Sequence, residues 1–217
     1  MKHPMTKPEL QIQTDRPRLD KIYIAAAEVI HTNGYHATSM DDIAAAANIT
    51  KPGLYYYIKS KDELLFQIMM HTLDGYERRV VIPARAIADP EERLRLMITN
   101  HVLSIVENGQ VLTIITEEMP GLTPDNLHTI KERKRGFLNF IRGTLKELKA
   151  LGRLRDVDVT LAALGMQGMI MWLSYWYKPN GPVSKEQAAA QYCEILLNGL
   201  LLPKPETKPA RQKKKAK

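Results

Sequence analysis

The chain has 217 residues, 44% apolar and 25% charged, with a single cysteine, Cys193. That is enough length for one large or two small packed units, and one cysteine excludes both an internal disulfide and a cysteine-built zinc site, as suits a reducing cytoplasm. The formal charge of +7 misleads as a nucleic-acid signal: residues 203–217 carry seven basic side chains against one acidic, whereas residues 1–70 carry eight of each.

No basic-then-apolar leader opens the chain. The longest apolar run, Leu161 to Tyr177, is broken by Gln167 and small residues, and is shorter than the ~20 residues a membrane helix needs. The expectation is a cytoplasmic protein without a membrane span.

In chain order, residues 1–15 hold two prolines and mixed polar residues and read as a flexible arm. From Arg16, the positions Leu19, Ile22, Ala26, Val29 and Ile30 recur at helical spacing and stop at Asn33-Gly34. The stretch from Ser39 to Lys61 reads as two short helices joined by a tight turn. Thr38 or Ser39 caps the first, with an acidic residue three positions on. Asn48 ends it, since asparagine tolerates the left-handed backbone of a sharp stop. Thr50 caps the second, and Pro52 falls in its first turn, where a missing N–H costs nothing. Ile43, Ala46, Ile49, Leu54 and Ile58 form the predicted buried set. Lys51, Gly53 and the run Tyr55-Tyr56-Tyr57 remain for solvent or a partner. A helix-turn-helix of this kind places its second helix in a DNA major groove.

Lys61 to Ile82 reads as a long helix ending at Pro83, a lever between this unit and the rest. Further helices are predicted from Asp89 to about Asn108, from Gln110 to Met119, and from Thr123 to Leu151. Two more run from Asp158 to Tyr177 and from Ser184, with Gln187 completing a capping box, to about Leu202. No strand pattern, repeat or phosphate-binding glycine loop is present. The fold class is therefore all-α: a three-helix helix-turn-helix domain over 16–76 (motif 39–58), then a helical domain over 77–202. The lysine-rich tail 203–217 is predicted to be disordered.

The motif resembles the TetR family of bacterial transcriptional regulators. The residues that carry the likeness are Gly34-Tyr35, Thr38-Ser39, Asp42-Ile43-Ala44, Thr50-Lys51, Leu54-Tyr55-Tyr56 and Lys61. Asn48 stands where the family usually has glycine, and Ile58 where it has phenylalanine. Each keeps the physical role. The resemblance implies that Thr38 or Ser39, Tyr56 and Lys61 touch phosphates and that Lys51, Gly53 and Tyr55 approach bases or the groove wall; Thr50, the cap, is counted with them as a DNA-binding residue. It also implies a homodimer on a palindromic operator, acting as a repressor released by a small inducer. The segment from Trp172 to Ser184, with Gln187 and Tyr192, resembles the acyl-CoA-responsive branch. Met119, Phe137, Met166, Met169, Trp172 and Trp176 are the candidate pocket residues. Leu164, Met171, Tyr175, Tyr192, Ile195 and Leu196 are the candidate dimer face. Lys131, Arg133, Lys134 and Arg135 are candidate partners for CoA phosphates or a solvated charged face.

No catalytic residue, metal site or cofactor is predicted, because the six histidines are scattered and none is paired at ligand spacing. Two readings stand beside the repressor. One is a TetR-like protein with an architectural or division-related role and no inducer. The other is a helical binding protein with a vestigial helix-turn-helix.

Overall fold

The computed structural model describes residues 7–117 and 119–203. Helix α1 (Lys7–Asn33) begins earlier than the apolar pattern indicates: the backbone of residues 7–15, read as an arm, continues it, through Pro17. Residues 1–6 and the tail beyond 203 lie outside the described residues. Gly34, at φ +78°, ends α1 by taking the left-handed conformation open to a residue without Cβ.

Helices α2 (Met40–Ala46) and α3 (Lys51–Tyr57) follow, and Asn48 between them holds φ +54°. Ile22, Ala26 and Ile30 of α1 pack with Ile43, Leu54 and Ile58 and with Leu64, Leu65 and Ile68 of α4 (Lys61–Tyr76) in one buried cluster. Within α2 the buried face is Met40, Ile43 and Ala44. Ala46, expected inside, is exposed at the last position of α2, and Ile49 is half-buried in the turn.

The lever is not one regular helix. After Tyr76 the chain makes a π-turn over Glu77–Val81, with the Ile82 N–H donating to the Glu77 carbonyl, and continues past Pro83 in α5 (Ile82–Arg85). Pro83 has no N–H, and its ring would strike the Arg79 carbonyl of a regular helix. The extra residue in the turn removes that clash. Asn100 completes the repair by donating its side-chain N–H to the Arg79 carbonyl at 3.0 Å. Asn100→Leu should therefore lower stability by about 1 kcal/mol, read in urea unfolding.

Helix α6 (Pro90–Glu117) crosses the centre of the domain and kinks at Asn108 (φ −135°, ψ +21°), where two separate helices were expected. The kink lets Gly109 sit against α9 (Leu173–Trp176): a Cβ there would come within 3.2 Å of Ser174. A 3-10 turn at Met119–Gly121 packs on the reading domain, with Gly121 against the Tyr35 ring and Leu65. Thr123 caps α7 (Pro124–Ala150) and Asp158 caps α8 (Val159–Met171). The predicted helix to Tyr177 breaks at Trp172, leaving α9 as a short extra turn. Ser184 and Gln187 form a complete capping box at α10 (Lys185–Leu200). Among the described residues the only β pairing is an isolated bridge, Leu154 to Leu201.

Candidate DNA-binding surface and ligand cavity

The helix-turn-helix is held by local hydrogen bonds. Ser39 Oγ accepts the Asp42 N–H at 3.2 Å, and Asp42 Oδ2 accepts the Ser39 N–H at 2.8 Å and its hydroxyl at 2.7 Å. The Ser39 hydroxyl and N–H hold the Asp42 carboxyl below its ordinary pKa. Thr50 Oγ1 accepts the Gly53 N–H at 3.2 Å. A Cβ on Gly53 would lie 3.1 Å from that same hydroxyl, so glycine here protects the cap of α3 as well as leaving the surface low.

The outward face of α3 carries Lys51, Tyr55 (45% exposed) and Tyr56 (67% exposed). Tyr57 is half-buried, edge-on to Tyr56 at 5.0 Å with the Arg18 guanidinium over its ring. Lys51 Nζ lies 2.9 Å from Asp41 Oδ2, and this hydrogen bond raises the lysine pKa. Both partners are largely solvated, so the pair is weak and an incoming phosphate or base edge can displace it. Asp41 was missed as this partner; its place in the first turn of α2 gives no sequence signal of it.

Two predicted phosphate contacts are engaged elsewhere. Thr38 is 2% exposed and donates its hydroxyl to the Gly34 carbonyl at 2.9 Å. Lys61 Nζ donates to the carbonyls of Thr38 (2.7 Å) and His36 (3.3 Å) and lies 4.4 Å from the Tyr35 ring centre. Tyr35 in turn donates to Asp62. Lys61 therefore braces the turn before α2. Of the predicted DNA-binding residues, Ser39, Thr50, Lys51, Tyr55 and Tyr56 are exposed.

The second site is a partly open cavity of about 970 Å³ bordered by the lever, α6, α7 and α8. Its aromatic wall is Tyr76, His101 and Phe137, packed edge-to-face with ring centres 4.7–5.7 Å apart. Leu73, Val81, Ile105 and Leu138 extend the apolar lining, and Arg85, Arg133, Lys134 and Arg135 stand among the residues around it. Burial holds His101 neutral, with its pKa down to about 3, and raises the Tyr76 phenol well above its ordinary value. Burial also lowers the pKa of Lys134.

Of the predicted pocket residues, Phe137 lines this cavity; Met119, Met166, Met169, Trp172 and Trp176 do not. Met166 is in the core, Met119 and Met169 are half-buried, and Trp172 and Trp176 are 61% and 46% exposed. The predicted dimer face also divides. Leu164, Tyr175 and Ile195 are exposed, whereas Leu196 is buried in its own subunit and Met171 and Tyr192 are half-buried. Leu164 and Met171 border the cavity. Tyr76 and His101 were not recognised as lining, since nothing in the sequence brings the lever and α6 together.

The buried neutral imidazole has a measurable consequence. Folding favours its uncharged form, so its contribution is complete above about pH 6.5 and is lost as pH falls toward 3. Lowering the pH from 7 to 5 should cost about 2 kcal/mol through this group. In His101→Phe that part of the pH dependence disappears from urea titrations.

Residues 22–68 match the family model described as "Bacterial regulatory proteins, tetR family", and residues 88–200 match "Tetracyclin repressor-like, C-terminal domain". The chain is 30% identical over 188 residues to the Fatty acid metabolism regulator protein of Bacillus subtilis (strain 168), covering 85% of this chain and 96% of the relative. It is 29% identical over 183 residues to the HTH-type transcriptional repressor KstR2 of Rhodococcus jostii (strain RHA1), covering 82% and 88%. The crystal structure of AibR in complex with isovaleryl coenzyme A and operator DNA superposes with a TM-score of 0.77 at 35% identity, covering 83% of this chain and 98% of that one. Motif, helical order and these matches agree: the chain belongs to the TetR family of bacterial transcriptional regulators.

Proposed function

We propose that the protein is a homodimeric transcriptional repressor, released from a palindromic operator by a CoA thioester. The observation that carries this reading is the cavity's construction: one wall is the lever leading directly into the reading domain. A ligand that makes better contacts in one lever position than in the other has different affinities for the two, which is the thermodynamic requirement for coupling.

The lining supports a thioester. Its interior is apolar and aromatic, suited to an acyl chain, and the cations of α7 suit phosphates. Lys134 lines the cavity half-buried with no ion-pair partner among the described residues. A volume near 970 Å³ exceeds what a short branched acyl group fills, so a longer chain or a fused-ring acyl group is the better fit. AibR, similar over most of this chain, is the protein seen with isovaleryl coenzyme A and operator DNA.

On the DNA side, Lys51, Gly53 and Tyr55 face base edges and Ser39 and Tyr56 the phosphates, one α3 in each of two successive major grooves. The second subunit covers the exposed apolar face formed by Leu161, Trp172, Tyr175, Trp176 and Ile195. The reading domain is assigned to 16–76 and the ligand and dimer domain to 77–202. The role is regulatory rather than enzymatic, in the cytoplasm.

The test is selection of a palindrome from random-sequence DNA, followed by calorimetry with butyryl-, octanoyl- and palmitoyl-CoA. Micromolar binding by at least one thioester, with a palindrome recovered, is expected. Recovery of a palindrome without binding of any thioester would favour the inducer-free reading.

A further inference from the structure

The cations of α7 are not equivalent. Arg135 pairs with Glu132, three positions back on its own helix, at 2.5 Å; giving up that pair moves nothing. Lys134 has no ion pair among the described residues and can accept an anion without losing one. Arg133 is different. Its Nη2 lies 2.8 Å from Asp74 Oδ1 and 3.1 Å from Glu77 Oε2, so one nitrogen ties α7 to two carboxylates of the lever. Those carboxylates bracket the point where α4 gives way to the π-turn. Arg85, beyond the turn, approaches the other oxygen of Glu77 at 3.8 Å. Glu77, Arg85 and Arg133 all line the cavity, and Arg133 remains 30% exposed.

We infer that Arg133 is a charge-exchange clamp: without ligand it fastens the lever through Asp74 and Glu77, and an anionic group of the ligand takes it over and frees the lever. This rests on the repressor reading, in which the ligand-free protein is the one that holds DNA. A phosphate offers a guanidinium a bidentate partner stronger than two carboxylates sharing one nitrogen. Once Arg133 turns to the phosphate, Asp74 loses its partner beside Glu77, which keeps only the longer contact to Arg85, and the tie between α7 and the lever is gone. The ligand's charge, rather than its acyl group alone, is then what signals. A neutral ligand of the same acyl shape occupies the cavity without breaking the clamp.

The full-length double variant Asp74→Asn/Glu77→Gln tests this, since it removes both charges while keeping side-chain size. In the absence of ligand it should bind the selected palindrome about 10-fold more weakly than wild type, a factor within the usual range of coupling between sites. Its melting temperature should stay within a few degrees, as for partly solvated pairs. Asp74→Asn alone, which leaves Glu77 on Arg133, should give an intermediate loss and serves if the double variant folds poorly. In calorimetry the double variant should bind octanoyl-CoA several-fold more tightly, because the competing carboxylates are gone, with no change for S-octanoylpantetheine. Unchanged operator affinity in the ligand-free double variant overturns the clamp. Equal tightening for the two thioesters also overturns it. If neither protein binds octanoyl-CoA while the ligand-free operator loss is seen, the clamp stands and the CoA-thioester reading fails.

Discussion

Replacing Lys51 and Tyr55 together by alanine should weaken binding to the selected palindrome by at least about 100-fold, from contacts worth about 1–3 kcal/mol each. Both side chains stand on the outward face of α3, whereas Leu54 and Ile58 on the opposite side are buried. The substitutions therefore remove the reading surface and leave its support intact. Lys51 gives up only an exposed pair with Asp41 in the free protein, so the melting temperature should move by no more than about 2 °C, as for ordinary surface changes. Leu54→Ala makes the contrast. Leu54 is fully buried between α1, α2 and α4, and its truncation should cost about 2–5 kcal/mol and weaken DNA binding through unfolding. Loss of affinity without loss of stability is the result that identifies Lys51 and Tyr55 as contact residues.

Filling the cavity is the second large effect. Leu164, Gln167 and Met171 border it from one face of α8, and Gln167 stands half-buried between the other two. Gln167→Trp can therefore place a ring in the ligand's space while leaving the face of Leu161 and Trp172 to the partner subunit. Affinity for the octanoyl thioester should fall by about 100-fold or more, because filling the space takes away the apolar burial of several methylenes, each worth about 0.8 kcal/mol. Stability should change by no more than about 1 kcal/mol, since the ring enters open space at a half-buried position. Operator binding should persist and no longer respond to ligand. A protein locked on DNA is the expected phenotype.

The contrast between the two sites shows what a single sequence reveals. The helix-turn-helix was legible nearly to the residue because its determinants are local. Ser39 with Asp42, Asn48 in the left-handed region, Thr50 and Pro52 each act within three positions of the feature they fix. What it left out needs a tertiary view. Thr38 and Lys61 fit the family pattern by position, yet one hydroxyl is buried and the other side chain's ammonium is bound to carbonyls far back in the chain. The cavity was hardly legible. Its walls come from the lever, α6, α7 and α8, and no local spacing tells which faces of those helices meet. Trp172 and Trp176 look like pocket residues by type but stand exposed, on the face assigned to the partner subunit. The π-turn was invisible for a similar reason. Pro83 announces a helix end, and the π-turn, with Asn100 reaching across from α6 to the Arg79 carbonyl, lets the chain continue through it.

The most direct measurement is fluorescence anisotropy of the labelled palindrome bound by the full-length protein, titrated with octanoyl-CoA at fixed ionic strength. The expected result is a saturable fall to the value of free DNA, at least about 10-fold weaker operator affinity when the cavity is full, and no fall with Gln167→Trp. Anisotropy that stays high for the wild-type protein at thioester concentrations that saturate it in calorimetry would contradict coupling between the cavity and the reading heads.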